Sequence, residues 1–121
     1  MSSTLDESHW HHLLAAEGLD GSTWSERPDT RFAAHRHAYD KVLVVISGSI
    51  VLTLEGAGLD VTLAPGDRLE LPAETAHSAL VGPHGVVCLE ADPERGRLSR
   101  EPRHRPGWAR EISPEVTGPQ R

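Results

Sequence analysis

Short apolar segments separated by turn residues occupy most of the chain from Thr23 onward. Segments rich in Val, Ile, Leu and Thr are typical of strands, and clusters of Gly, Pro, Asp and Ser between them are typical of turns. Strands are predicted over residues 23–26, 31–37, 41–47, 49–55, 59–64, 68–71, 77–81 and 85–91. The separating turns are predicted at 47–48, 56–58, 65–67 and 82–85. Many short, evenly spaced strands favour a sandwich or a small barrel, so the predicted fold class is all-β.

Two of these segments also indicate how the strands are buried. Residues 50–55 alternate between Ile or Leu and other side chains, as expected for a strand with one buried face. The run Val42–Ile46 is apolar at every position. A strand that is apolar on both faces is predicted to lie in the centre of the fold.

The two ends of the chain differ from this middle. Residues 4–17 are predicted to form a helix, with apolar side chains near one face and Gly18 as a left-handed stop (Leu5, Trp10, Leu13 and Leu14). The segment after Asp92 has several prolines and few apolar residues, so it is predicted to be irregular. The predicted organisation is an N-terminal helix over 1–20, a β-barrel over 21–92, and an irregular, partly disordered C-terminal tail over 93–121.

Length, charge and cysteine content exclude several classes of protein. A chain of 121 residues fits one domain with its own core. The net charge of −6 argues against a general nucleic-acid binder. No apolar run approaches the roughly 20 residues that span a bilayer, no secretory leader is recognisable, and Cys88 has no partner for a disulfide. We therefore expect a cytoplasmic protein with no nucleic-acid or membrane partner.

Residues 95–110 form a locally basic stretch. The ordinary interpretation is a solvated tail. The alternatives are an arm that contacts anions or RNA, and a tail that packs on a neighbouring subunit through Trp108. Because the N-terminal helix and Trp108 offer apolar surface to bury, we expect a homodimer.

Three histidines are the candidate chemical centre. His35 and His37 are two residues apart, a spacing that puts strand side chains on one face. His77 lies at the start of a later predicted strand. Neutral imidazoles are good ligands for Zn, Fe, Ni and Cu, so the three histidines predict a metal site if their strands meet.

Other side chains have weaker functional interpretations. His9 and His12 are i, i+3 neighbours in the predicted helix, but separate surface histidines are the commoner arrangement. Trp24 and Tyr39 either line the mouth of the barrel or serve in packing. Cys88 lies in an apolar strand and is expected to be a small core residue.

The order of the histidines resembles the two motifs of the cupin family, G-x5-H-x-H-x3-E-x6-G and G-x5-P-x-G-x2-H-x3-N. In this chain they read HRHAYDKVLVVISG over 35–48 and GDRLELPAETAHSALV over 66–81, and the resemblance covers residues 22–91. Small single-domain cupins of the second subgroup look most similar. The resemblance implies a double-stranded β-helix, or jelly roll, that dimerises and holds a divalent transition metal (Zn, Ni, Fe or Mn). It places His35, His37 and His77 in the three histidine ligand positions.

The chain departs from the motifs at four positions. Lys41 stands where the family has its Glu ligand, Asp29 and Glu74 stand where it has glycines, and Val81 replaces its asparagine. A protonated amine repels a metal cation, so we expect a site of three histidines with open coordination positions. Because those ligands are neutral, the metal keeps its full charge, which favours an anionic ligand.

Lys41 has two interpretations. It either acts in the site, as a second positive group with a catalytic or binding role, or it lies at the barrel mouth and pairs with a carboxylate. The candidate partners are Asp40, Glu70 and Glu90.

These features predict a metal-dependent enzyme of the dioxygenase, isomerase or lyase type. It would act on a small anionic molecule through the three-histidine site. The alternatives are a non-catalytic protein that binds or senses a small molecule, and a structural barrel with a vestigial metal site. Glu70, Glu90 and Tyr39 are the candidates for a general acid or base.

Overall fold

The computed structural model describes the backbone of residues 3–111 and the side chains of residues 7–110. This part of the chain forms two helices and seven strands, in the order α1 (Ser3–Ala16), β1 (Ser22–Glu26), β2 (Arg31–His35), β3 (Lys41–Leu54), β4 (Leu59–Leu63), β5 (Arg68–Leu71), β6 (His77–Ala91), β7 (Arg103–Arg105) and α2 (Trp108–Glu111). Neither helix is long and apolar enough to cross a membrane.

The long strands β3 and β6 organise the sheet. They pair with each other in antiparallel register from Val42 opposite Ala91 to Leu54 opposite His77. In one half of the fold, β1 joins β6 and β5 joins β3, with β7 outside β5. In the other half, β2 joins β6 and β4 joins β3. Buried apolar side chains from both halves form one cluster, and the predicted all-β jelly roll is confirmed.

Both long strands change direction at two glycines. Gly48 and Gly85 have φ of 75° and 81°, and the register shifts on either side of Gly48. A Cβ on Gly48 would lie 2.0 Å from the carbonyl oxygen of Gly85, so a side chain at position 48 is excluded. The turns predicted at 47–48 and 82–85 are therefore wrong, because these residues lie inside continuous strands.

The first half of β3 is buried on both faces, as predicted for a central strand. Leu43 and Val45 point into the cluster between the two halves of the fold. Val42, Val44 and Ile46 point the other way and form a second cluster with side chains of the helices. A layer of helix therefore covers the outer face of this half of the sheet.

Helix α1 supplies much of that layer. Trp10 and Leu14 are buried, and Leu13 packs against the same cluster; the side chain of Leu5 lies outside the described residues. Gly18 has φ of 78°, and the amide of the following Leu19 donates to the carbonyl of Leu14. The predicted helix and its glycine stop are confirmed.

Residues 93–111 are largely irregular, but part of this segment packs on the barrel. The rest of the predicted tail, residues 112–121, lies outside the described residues. Strand β7 pairs with β5, and the ring of Trp108 lies 4.8 Å from the guanidinium of the buried Arg68. Arg68 also donates to Glu17, directly after α1, and to Glu70. This network ties helix, sheet and C-terminal segment together, so the basic stretch is not simply a solvated tail.

The tryptophans expected at a subunit interface are used inside the protomer. Trp10 and Trp108 are 5% and 1% exposed, and both belong to the helix–sheet cluster. The apolar surface that supported the expectation of a homodimer is thus already covered. The homodimer itself stays a prediction.

Asp29 and Glu74 have positive φ, at 63° and 67°. These are the positions where the cupin motifs described above have glycine. The backbone at these two positions therefore has the left-handed conformation that suits glycine, although neither residue is a glycine. Asp tolerates this conformation better than Glu, so the strain is greater at Glu74.

Replacing Gly48 by alanine tests the bend directly. We expect Gly48→Ala to lower the free energy of unfolding by at least about 2 kcal/mol, because the new methyl group meets Gly85 and the positive φ is strained. Gly56→Ala is the control, since a Cβ there has nothing within 4 Å, and its effect is expected to stay within about 0.5 kcal/mol. Urea unfolding of both variants measures the difference. Equal stabilities would show that the close approach of Gly48 and Gly85 does not constrain the fold.

Candidate metal centre

The three predicted histidines lie together at the end of the barrel. His35 ends β2 and pairs with His77, the first residue of β6. His37 follows in the loop, since β2 ends two residues earlier than predicted. The ring centroids of His35 lie 4.7 Å from His37 and 4.4 Å from His77. One ring nitrogen from each histidine lies within 4.8 Å of the other two, a spacing at which the three could hold one metal ion.

Hydrogen bonds orient two of the imidazoles. The Nδ1 atom of His35 lies 2.7 Å from the carbonyl oxygen of Ala33, and Nδ1 of His77 lies 2.9 Å from that of Thr75. A carbonyl oxygen only accepts, so each Nδ1 carries the proton and each Nε2 keeps its lone pair. The Nε2 atom of His37 is buried and has no hydrogen-bond partner. All three rings therefore have a nitrogen available to a metal.

Hydrogen bonds from backbone amides hold together the loops that carry the histidines. The amide of Glu74 donates to the carbonyl of His37 at 2.7 Å. The carboxylate of Asp40, which is 1% exposed, accepts from the amides of Ala73 and Leu98 at 2.8 Å each. Burial raises the pKa of Asp40, but these amide donors outweigh it and hold the pKa below its usual value. Asp40 thus stays charged and fixes the loop before His77.

The environment favours neutral imidazoles at two of the three positions. Burial, followed by the positive charge of Lys41, lowers the pKa of His37. Burial also lowers the pKa of His77, which is 4% exposed, although its hydrogen bond to Thr75 opposes this. A neutral imidazole is the form that binds metal, so this environment favours metal binding at neutral pH.

The histidines open into a cavity of about 350 Å³. Lys41 and Glu90 line it together with the three histidines, and apolar side chains line much of the rest. A volume in this range is typical of a small-molecule site. The arrangement therefore joins a candidate metal centre to a candidate ligand pocket.

Lys41 lines this pocket and also forms an ion pair with a carboxylate. Its position therefore combines features of both interpretations. Its Nζ atom donates to Glu90 at 2.7 Å, and the two side chains are 12% and 14% exposed. The other oxygen of Glu90 accepts from the indole nitrogen of Trp24 at 2.8 Å. Of the other proposed partners, Asp40 accepts from the loop amides and Glu70 pairs with Arg68.

A second carboxylate, that of Asp92, lies beside the Lys41–Glu90 pair. Asp92 was not among the site residues predicted from the sequence. Its carboxylate lies 3.9 Å from Nζ of Lys41, and its side chain is 41% exposed. Burial and the neighbouring Glu90 raise the pKa of Asp92 to about 6. Burial raises the pKa of Glu90 too, but the neighbouring Asp92 carboxyl and the hydrogen bonds from Lys41 and Trp24 outweigh this and lower it. Asp92 directly follows β6, and its i, i+2 spacing from Glu90 was the available signal, because such residues share a face of an extended chain.

The remaining candidate residues divide between the site and the body of the fold. The ring of Tyr39 stacks on His37 with centroids 4.8 Å apart, so Tyr39 lies beside the site. Cys88 is fully buried, which raises the pKa of its thiol to about 12 and agrees with the expected core role. Among the described residues, His9 and His12 belong to no group that could hold a metal.

Comparison with known proteins agrees with this geometry. A family model described as a cupin domain matches residues 23–88, which is more than half of the chain. No curated protein matches at the level of sequence.

Several solved structures share the fold. The chain is similar to a protein of unknown function from Rhizobium leguminosarum, with a TM-score of 0.57 and 17% identity over 64% of this chain and 71% of the other. It is similar to KdgF from a Halomonas species, with a TM-score of 0.53 and 26% identity over 64% of this chain and 71% of that one. An oxalate decarboxylase from Bacillus subtilis matches with a TM-score of 0.55 and 21% identity over 65% of this chain, but only 22% of the decarboxylase is covered. The matched family domain, the jelly roll and the clustered histidines together show that the chain belongs to the cupin family.

Proposed function

We propose that this cupin is a metal-dependent enzyme that acts on a small anionic molecule by proton transfer, as isomerases and lyases do. The observation that carries the proposal is the meeting of three imidazoles with the Lys41–Glu90 ion pair in one cavity, with Asp92 beside that pair. The histidines supply metal ligands, and the charged group supplies a cation and a pair of carboxylates with unequal pKa values. This combination favours proton transfer over a purely structural role for the site.

His35, His37 and His77 are the residues that would hold the metal. The unpartnered Nε2 of His37 supports this assignment, because a buried ring nitrogen without a hydrogen bond is costly unless something else occupies it. The carbonyl oxygens of Ala33 and Thr75 keep the other two rings in the tautomer that suits a ligand. A divalent transition metal bound there supplies a Lewis acid that polarises an oxygen of the substrate.

Lys41 is proposed to bind the anionic group of the substrate. Its ammonium group already touches Glu90 at 2.7 Å, so it reaches the cavity as half of an ion pair rather than as a free cation. A carboxylate that enters the cavity would share the Nζ donors with Glu90, since an ammonium group has three. Glu90 would thus limit the affinity for anions and hold Lys41 in a fixed position.

Glu90 and Asp92 are proposed to handle the proton. The environment separates their pKa values, so Glu90 is the ionised member and Asp92 the one that holds a proton near pH 6. Such a pair gives one site both a base and an acid, and efficient acid–base catalysis uses groups that titrate near the working pH. Glu90 lines the cavity, whereas Asp92 lies outside the lining, beside the ion pair.

His77→Ala tests the metal assignment. We expect the variant to lose at least about tenfold in affinity for Zn²⁺ or Ni²⁺, because one of three protein ligands is removed. Competition titration against a chromophoric chelator measures the affinity. His84→Ala is the matched control, since His84 is exposed at the bend of β6, beside Gly85, and its affinity should equal that of the wild type. Equal affinities of all three proteins would refute the assignment.

Placing the glutamate of the cupin motif at position 41 tests whether this position lies near the metal. We expect the double variant Lys41→Glu, Glu90→Gln to bind metal about tenfold more tightly than the wild type, because it places an anionic ligand at position 41 without a facing carboxylate. Lys41→Met, Glu90→Gln is the control that removes the same ion pair without adding a ligand. If both double variants bind metal equally, Lys41 does not lie within reach of the metal.

The carboxylate pair makes a prediction about pH. Asp92 is expected to titrate near pH 6, so its protonated form is lost as the pH rises through that value. In Glu90→Gln the pKa of Asp92 should fall, because the neighbouring negative charge is gone, while burial continues to raise it. In Lys41→Met it should rise further, since the positive charge that opposes the shift is removed. NMR titration of the labelled carboxyl carbons measures all three values, and an Asp92 pKa near 4 in the wild type would contradict this acid–base assignment.

A further inference from the structure

The cavity has a charged end and an apolar wall. The charged end consists of the three histidines with Lys41 and Glu90. The wall is formed mainly by six apolar side chains from four strands and both halves of the fold: Trp24, Phe32, Leu43, Ile50, Leu52 and Ala79. Ser25 and Glu26 of β1 complete the lining. The proposed function uses the charged end and leaves the wall without a role.

Strand register places the wall on the inner side of the charged groups. His77 pairs with Leu54 at the end of β3, whereas Ala79 pairs with Leu52, one same-face position further in. Phe32 lies opposite Ala79 on the other side of β6. In the other half, Lys41 is the first residue of β3, and Leu43 follows it on the same face. A ligand that reaches past the histidines therefore meets apolar side chains.

Two aromatic rings shape this wall. Trp24 and Phe32 belong to different edge strands, and their centroids lie 6.2 Å apart with the planes at 75°. This edge-to-face contact joins the two halves of the fold across the cavity. The hydrogen bond from the indole nitrogen of Trp24 to Glu90 fixes the ring against the charged end. The aromatic surface is thus held next to the groups that would bind an anion.

We propose that the ligand is a small carboxylic acid with an apolar body of about the size of one ring, aromatic or branched aliphatic. Its carboxylate faces the histidines and Lys41, and its body packs against Phe32, Trp24 and Ala79. This inference rests on the proposed function for the polar end of the ligand, and on the apolar wall for its body. A fully polar diacid would leave the wall in contact with water, with no gain from apolar burial.

The size of the cavity supports a single ring. A cavity of roughly 150 Å³ is enough to hold benzene. The volume here is about 350 Å³, so it has room for one ring together with a short acidic chain. Much longer ligands would extend beyond the cavity into solvent.

Phenylacetate and acetate are the probes that test this inference, because they share a carboxylate and differ in the apolar body. We expect Zn²⁺-loaded protein to bind phenylacetate at least about tenfold more tightly than acetate, as judged by calorimetry and by tryptophan fluorescence. Trp24→Phe should remove most of the fluorescence change, because Trp24 lines the cavity. Trp10 and Trp108 are instead buried between the helices and the outer face of the sheet.

Variants of the wall separate its role from that of the charged end. Phe32→Ala should reduce the preference for phenylacetate several-fold and leave acetate unchanged, and Ala79→Leu should have the same effect by filling the space. Leu59→Ala is the control, since Leu59 is 53% exposed on β4, and should keep the full preference. If Phe32→Ala fails to fold, Ala79→Leu alone carries the test.

The outcomes distinguish this inference from the proposed function. Equal affinities for the two acids in metal-loaded protein would overturn the inference and leave the metal site intact. The inference would also be overturned if the preference for phenylacetate over acetate were the same in the wild-type protein, Ala79→Leu and Leu59→Ala. Failure to bind metal would overturn the proposed function, whereas a preference for phenylacetate in that metal-free protein would still support the apolar wall.

Discussion

The close approach of Gly48 and Gly85 is the constraint on which the site depends. A Cβ on Gly48 would lie 2.0 Å from the carbonyl oxygen of Gly85, so the two long strands come together at a point where a side chain has no room. Because both strands bend there, each contributes to both halves of the fold. The bend brings the half that carries His77 over the half that carries Lys41 and Glu90. Without it, the histidines and the ion pair would not line one cavity.

The charges around the cavity are arranged differently from the motif that the chain resembles. A lysine stands at the position of the usual acidic ligand, and an acid comes instead from the neighbouring strand, where Glu90 pairs with Lys41. The two charges nearly balance, so the three imidazoles remain the groups best suited to a metal. Asp92 then adds a carboxylate whose pKa is raised to about 6. The replacement at position 41 is therefore part of a group of three residues rather than an isolated loss.

Much of this could be predicted from the sequence, for physical reasons. The apolar run Val42–Ile46 predicted a strand covered on both faces, and the motif spacing predicted the meeting of the three histidines. The glycines at 48 and 85 were misinterpreted as turns, because a glycine in a turn and a glycine in a sharply bent strand look alike in a sequence. The cluster of Lys41, Glu90 and Asp92 depends on the register of two distant strands, which local patterns do not specify. The burial of Trp108 depends on Arg68, a contact between residues 40 positions apart.

We propose that His35, His37 and His77 hold one metal ion beside the Lys41–Glu90 pair. Anomalous X-ray diffraction from crystals of the zinc-loaded protein, measured on both sides of the zinc absorption edge, locates that ion. We expect one strong peak at about 2.0–2.1 Å from a ring nitrogen of each of the three histidines. A zinc peak elsewhere in the protein, with these three rings free of metal, would contradict it.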